Sequence, residues 1–245
     1  DIAHAPKQRH TIPSSEVKPE SIANEALDTG AASIAATYTE PTIFMEYALD
    51  VAEKGQALGL KQVFVSNGFM TPKALQAAVK VLDAANVDLK SFQDAFYIRE
   101  CAGRLKPVLQ SIRALKKAGV WLELTTLIIP EENDDPGELR EIAEFIASIG
   151  PETPWHLSAF HPSYRKTDRR PTPAQTLFKA RDIGREAGLH YVYCGNIPSG
   201  ETRHTYCRSC GQKLIDRSMG QAVLEGLQDG RCSSCREVPA GVGMG

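Results

Sequence analysis

Four of the six cysteines fall in two pairs, Cys207-Arg-Ser-Cys210-Gly211 and Cys232-Ser-Ser-Cys235, separated by 21 residues. A two-residue gap lets one turn of chain direct both sulfurs at a single ion, and two such turns supply the four thiolates of a tetrahedral site. Cys207, Cys210, Cys232 and Cys235 are therefore assigned as ligands of a zinc-ribbon-like knuckle. Gly211 relieves the backbone where amides approach the sulfurs. Four thiolates leave no open coordination position, which favours structural Zn2+ over a catalytic metal, although iron fits a similar cage. A tail of about 35 residues with so little apolar content needs the metal to fold.

A second set of polar groups recurs along the chain, each after a short apolar run. These are Thr37-Tyr38-Thr39-Glu40-Pro41, Ser66-Asn67-Gly68, Asp88-Leu89-Lys90, Thr125-Thr126 and the stretch from His156 to His161. A carboxylate, an amide, an Asp/Lys pair and several hydroxyls suit a ligand that carries an amino group, a carboxylate and a ribose. His156 and His161 bracket one apolar run and are candidate substrate contacts. Cys194 precedes Gly195-Asn196, a position open enough for a reactive thiol. Cys101 reads as a small buried hydrophobe, and the basic run Arg165, Lys166, Arg169, Arg170 as a solvated loop.

The elements that must position these groups alternate. Strands are predicted at 33–37, 62–66, 86–89, 121–129, 155–160 and 191–193, each short and apolar enough to be buried on both faces. Helices are predicted at 19–28, 42–58, 72–84, 105–118, 136–149 and 173–187. Thr71-Pro72 and Thr172-Pro173 read as N-caps with proline in the first turn. Gly30, Gly59, Gly119, Gly150 and Gly188 stand where helices end. Six βα repeats in roughly 190 residues suit a partial (β/α)6 TIM-type barrel, with a doubly wound open sheet as the competing arrangement. Residues 1–200 are assigned to the barrel and 201–245 to the cysteine tail. In either α/β architecture, chemistry belongs at the carboxyl ends of the strands.

Composition narrows the class. Of 245 residues, 42% are hydrophobic and 24% charged, which suits a soluble globular protein. The formal net charge of -2 lacks the basic excess of a nucleic-acid binder. No apolar run reaches the roughly 20 residues of a membrane helix. Cysteines arranged for metal rather than disulfides predict a reducing, cytoplasmic setting.

In this order, Tyr38-Thr39-Glu40-Pro41-Thr42, Val65-Ser66-Asn67-Gly68-Phe69, Asn86-Val87-Asp88-Leu89-Lys90-Ser91-Phe92, Leu127-Ile128-Ile129-Pro130 with Asn133-Asp134, and His156-Leu157-Ser158-Ala159-Phe160-His161-Pro162 resemble a radical S-adenosylmethionine enzyme. More narrowly, the chain is similar to the AmmeMemoRadiSam-system radical enzymes, relatives of pyruvate formate-lyase activating enzyme. The resemblance implies S-adenosyl-L-methionine and a [4Fe-4S] cluster as cofactors. It also implies reductive cleavage to a 5′-deoxyadenosyl radical, and an electron donor such as flavodoxin or ferredoxin. By the same resemblance, Glu40 meets the methionine amino group, Asn67, Asp88 and Lys90 hold the methionine carboxylate and ribose, and Ile128 or Ile129 lines the adenine. The family's Cys-x-x-x-Cys-x-x-Cys is not among these 245 residues. The expectation is that the triplet lies upstream of Asp1, and that this polypeptide alone is inactive. The substrate, a protein or a small molecule, is not legible. A glycyl-radical activating enzyme and a non-catalytic barrel-and-knuckle interaction module are the alternatives.

Overall fold

The computed structural model describes residues 15–198, 200–218 and 221–242. The loose opening expected around Pro6 and Pro13, and the Asp1-Ile2-Ala3 segment, lie outside them. The elements run α1 (Pro19–Asp28), β1 (Ser33–Ala36), a 3-10 turn (Pro41–Phe44), α2 (Met45–Ala57), β2 (Lys61–Ser66), α3 (Pro72–Ala78), β3 (Ala84–Asp88), α4 (Asp94–Cys101), α5 (Leu105–Lys117), β4 (Trp121–Ile128), α6 (Pro136–Ile149), β5 (Trp155–Ala159), α7 (Ala174–Glu186) and β6 (Val192–Gly195). The tail adds β7 (Thr205–Tyr206), β8 (Lys213–Asp216), β9 (Val223–Leu224), β10 (Leu227–Gln228) and β11 (Arg231–Cys232).

The six barrel strands form one sheet in the order β1-β2-β3-β4-β5-β6. A doubly wound sheet reverses its strand order part-way. An order that advances without reversal, with helix between successive parallel strands, is the wall of a partial barrel.

The chain divides into two compact units, Asp1–Val87 with Pro107–Leu122, and Asp88–Lys106 with Glu123–Gly245. In the first, β1 and β2 pair in parallel from Ser33 with Lys61 to Ala36 with Phe64. Their support includes Phe64, Val108, Ile112, Leu115 and Leu122, all at most 2% exposed. In the second, β4 pairs with β5 and β5 with β6, with Thr125 opposite His156 and His156 opposite Tyr193. The core of this unit gathers Leu124, Ile128, Leu139, Ile142, Ile146, Trp155, Leu157 and Leu177.

The predicted helix ends hold, since Gly30, Gly59, Gly119, Gly150 and Gly188 all have positive φ. Three expectations are corrected. The third helix stops at Ala78 instead of running to Ala84, because Asp83 N–H donates to the Gln62 carbonyl and the Asp83 carboxylate accepts from Gln62 N–H and Lys61. Those bonds commit the helix-favouring Ala84-Ala85 to β3, a tertiary override of local propensity. Thr71 caps α3 through Ala74 N–H as expected, but Thr172 caps nothing. Its hydroxyl donates to the Ile128 carbonyl at 2.5 Å and accepts from Phe160 N–H at 3.0 Å, tying the ends of β4 and β5. Helix α4 was not anticipated; it closes in a left-handed Ala102 (φ 51°), and Asp94 accepts from Leu105 N–H across the turn into α5.

Candidate functional site

In the first unit the candidate groups gather at the carboxyl ends of β1 and β2. Glu40 is 8% exposed and leads the 3-10 turn that starts at Pro41. Its Oε1 accepts from Thr42 N–H (3.2 Å), the Thr42 hydroxyl (3.1 Å) and the Ser66 hydroxyl (2.7 Å), and its Oε2 accepts from Asn67 N–H (2.7 Å). A carboxylate has about four lone-pair positions. Oε1 is saturated, and Oε2 keeps room for one more donor. Asn67 turns its Oδ1 back onto Phe69 N–H (2.8 Å), while its Nδ2 meets no acceptor among the described residues. Gly68 makes this turn possible. At φ +71° any Cβ there would lie 2.6 Å from Val87 Cγ1.

In the second unit, Asp88 ends β3 and accepts from Lys90 Nζ at 2.6 Å, each side chain about one-third exposed. The backbone beneath the pair is fastened from several sides. Lys90 N–H donates to the Tyr97 hydroxyl, and Tyr97 is buried enough that its phenol is pushed well above its ordinary value. Thr126 donates to the Leu89 carbonyl at 2.7 Å and itself accepts from Trp155 Nε1. Asn133, 1% exposed, spends its whole amide here. Nδ2 donates to the carbonyls of Lys90 (2.6 Å) and Leu127 (2.8 Å), and Oδ1 accepts from Ile129 N–H (2.7 Å). Ser91 hydroxyl and Phe92 N–H both donate to the buried carboxylate of Glu138. Asn133, quoted only as part of the resemblance, and Glu138 were assigned no role, because nothing in their local sequence signals which carbonyls or amides they reach.

The remaining candidates separate. Ile128 is fully buried, and Ile129 packs with Phe96 and Phe160 over Cys101. His156 lies on β5 with Nε2 donating to Glu123 at 2.6 Å. His161 sits at the rim, where Nε2 donates to the Asn196 carbonyl at 3.2 Å. Cys194 is a core residue and not the open thiol expected of it: it is 1% exposed on the side of β6 that meets α7, and burial pushes its thiol up to about 11. The basic loop is also more engaged than its composition suggests. Lys166 pairs with Glu100 (2.6 Å), and Arg169 and Arg99 both pair with Glu132 (3.0 and 2.5 Å).

In the tail the four cysteine sulfurs lie within 4.8 Å of one another. Cys207 and Cys235 are 3.5 Å apart, and Cys210 and Cys232 are 3.6 Å apart. These distances are too long for disulfides and close to the roughly 3.8 Å edge of a tetrahedron with 2.3 Å metal-sulfur bonds. The two turns repeat one geometry. Cys207 N–H donates to the Gln212 carbonyl and accepts at its own carbonyl from Gly211 N–H; Cys232 does the same with Glu237 and Arg236. The amide of Cys235, followed by that of Ser234, lowers the Cys232 thiol to about 7. At Cys235 the Glu237 amide also acts to lower the thiol, but desolvation and the neighbouring sulfurs outweigh it and hold Cys235 up at about 12. Four thiols so close cannot all ionise without a cation among them. The donor set fits a closed four-thiolate metal centre.

Across 229 residues the sequence is 40% identical to the uncharacterized protein MJ0808 of Methanocaldococcus jannaschii, covering 92% of this chain and 68% of that protein. The chain belongs to the MJ0808 family. No family model matches it. In fold, this MJ0808-family chain is similar to a domain of pyruvate-formate lyase-activating enzyme from Bacteroides vulgatus, with a TM-score of 0.59 and 18% identity over 68% of this chain and 100% of that one. It is also similar to Streptococcus suis SuiB bound to S-adenosylmethionine (TM-score 0.61, 10% identity, 76% of this chain and 45% of that one). A radical SAM methyltransferase from Sphaerobacter thermophilus gives a TM-score of 0.54 at 14% identity, over 78% of this chain and 58% of that one. The MJ0808-family chain thus shares the fold of radical S-adenosylmethionine enzymes. No helix among the described residues is long and apolar enough to cross a membrane.

Proposed function

We propose that the barrel is the S-adenosylmethionine-binding core of a radical S-adenosylmethionine enzyme, a class that reductively cleaves this cofactor to a 5′-deoxyadenosyl radical. The observation that carries the reading is the Glu40 carboxylate, immobilised by four donors with one acceptor position left on Oε2. A fixed, partly satisfied carboxylate suits an ammonium group. Asn67 Nδ2 would donate to the methionine carboxylate. In the second unit, the Lys90 ammonium suits a carboxylate and Asp88, its present partner, suits ribose hydroxyls as the resemblance implies. Ile128 is fully enclosed on the sealed side of β4 and is not assigned to the adenine.

The iron-sulfur cluster of this chemistry does not fit the cysteines of these residues. Cys101 and Cys194 are single half-buried or buried thiols, and the four converging thiols close around one ion. The reductive step is therefore assigned to no residue of this chain. The tail is assigned structural Zn2+, since four thiolates without an open position hold a fold in place and do not present substrate.

An activating enzyme for a glycyl-radical partner is the second reading. It is favoured by Tyr38 and Ile43, which are 80% and 75% exposed beside Glu40, as apolar side chains offered to a protein partner would be. Calorimetric titration with S-adenosylmethionine tests the first reading directly. The chain is expected to bind it, and Lys90→Ala to weaken binding about tenfold, the loss of one charged hydrogen bond. Absence of binding heat, or an unchanged affinity in Lys90→Ala, would overturn the cofactor assignment.

A further inference from the structure

The strands of the second unit have two unlike sides. Leu124, Thr126 and Ile128 of β4, Trp155, Leu157 and Ala159 of β5, and Val192 and Cys194 of β6 are sealed. The alternating positions Glu123, Thr125, His156, Ser158 and Tyr193 are part-exposed and polar. On this side His156 Nε2 donates to Glu123 Oε2 at 2.6 Å. The imidazole stacks on Tyr193, with ring centroids 5.2 Å apart and planes 27° apart. Nδ1 of His156 meets no hydrogen-bond partner among the described residues.

Tyr193 is held in turn from the tail. Its hydroxyl bonds the Thr205 hydroxyl at 2.9 Å, and the Arg217 guanidinium lies over its ring at 5.5 Å. Arg217 Nη1 donates to the Thr205 hydroxyl (2.8 Å) and the Arg203 carbonyl (3.0 Å), and Arg217 N–H donates to His204 Nδ1. Arg217 directly follows β8, whose Leu214 and Ile215 pack with Cys207 and Cys232. A continuous chain of contacts therefore leads from the cysteine knuckle to the imidazole.

We propose that this polar side of β4 to β6 faces the substrate, with His156 Nδ1 as proton acceptor for a substrate hydroxyl or amino group and Arg217 as the positioning residue that ties its platform to the knuckle. Glu123 sets the tautomer. A carboxylate at Nε2 demands a proton there, so the neutral ring carries its lone pair on Nδ1. The substrate O–H or N–H gives its proton to Nδ1, the electron pair stays on oxygen or nitrogen, and the imidazolium that forms is matched by Glu123. The charged or titratable groups recorded around the ring are Glu123 from β4, Tyr193 from β6 and, beyond Tyr193, Arg217 from the tail. Burial raises the Tyr193 phenol, which keeps it neutral at physiological pH.

The substrate role rests on the enzyme reading above, but its test needs neither S-adenosylmethionine nor turnover, so either can fail alone. Nitrogen-15 spectra of the zinc-loaded chain at neutral pH report the tautomer of His156, and diethylpyrocarbonate reports whether its bare nitrogen is open to solution. The expected result is Nε2–H with unprotonated Nδ1, and acylation at His156 by mass spectrometry. Glu123→Ala is expected to lose the tautomer preference with metal content and helix signal unchanged. Arg217→Gln is expected to shift the His156 resonances, as chelation of the zinc does, while keeping its metal. A proton on Nδ1, or no acylation at His156, would overturn the acceptor role. Unmoved His156 resonances in both Arg217→Gln and the chelated protein would overturn the link to the knuckle.

Discussion

The β4 to β6 wall and the cysteine tail belong to the same compact unit but are held by different physics. The wall buries long aliphatic and aromatic side chains against α6 and α7, with Leu124, Ile128, Trp155 and Leu157 fully enclosed. The buried cluster of the tail consists of Cys207, Leu214, Ile215 and Cys232, so half of its members are metal-ligand candidates. Burial supplies the main stabilisation of the wall, at roughly 25 cal/mol for each Å² of apolar surface removed from water. The tail has too little such surface, and its two Cys-x-x-Cys turns can be stable together only with a cation between them. The α/β frame is therefore expected to keep its fold when the metal of the tail is removed.

The sharpest way to break this contrast is to remove two ligands. Cys207→Ser with Cys210→Ser is expected to release the metal completely and abolish amide protection in the tail, while the helical circular dichroism of the barrel persists. Retained metal in that variant would refute the knuckle. The next effect belongs to the wall. Asn133→Ala strands the carbonyls of Lys90 and Leu127 and the amide of Ile129, and is expected to lower urea stability by about 3 kcal/mol with no change in metal content.

A smaller effect separates the two turns of the tail. Gly211 has φ 73° and its counterpart Arg236 has φ 64°, so only one turn uses the residue that adopts this conformation freely. Arg236→Gly is expected to stabilise the metal-loaded tail by up to about 1 kcal/mol, read as slower metal loss to a chelator. The smallest effect is in the clasp of Glu100, Glu132, Lys166, Arg169 and Arg99. Lys166, then Arg99, hold the Glu100 carboxyl below its ordinary 4.5. A carboxylate whose folded pKa is depressed stabilises above its unfolded value and loses that contribution as pH falls through the folded one. Protection factors in the loop around Lys166, taken against the intrinsic exchange rate at each pH, are expected to be constant above pH 4.5 and to fall below it, and to fall with added salt at neutral pH. The wall itself should not respond.

Much of the fold was legible because its signals are local. Helices α1 and α6 begin and end where Pro19, Asp28, Pro136 and Ile149 predicted, since proline in the first turn and glycine after the last act through adjacent backbone alone. The knuckle was legible for the same reason. What failed did so where a distant partner intervened. Ala84-Ala85 joined a strand because Asp83 was held by β2, Thr172 bridged two strands instead of capping its neighbour, and Cys194 turned into the core because strand alternation placed it on the α7 side. Lys166 and Arg169, read as solvated, found acids 66 and 37 residues away.

For the candidate sites, sequence supplied the residue types at the strand ends and the four thiols, because spacing and order are properties of the chain itself. Tertiary structure decided what those types can do. It brought three donors to one oxygen of Glu40 and left room on the other, paired Lys90 with Asp88, gave all of Asn133 to backbone, and set His156 between Glu123 and Tyr193. Hydrogen-bonding capacity is fixed by residue type, but which atoms remain available is fixed by which partners the fold brings within 3 Å.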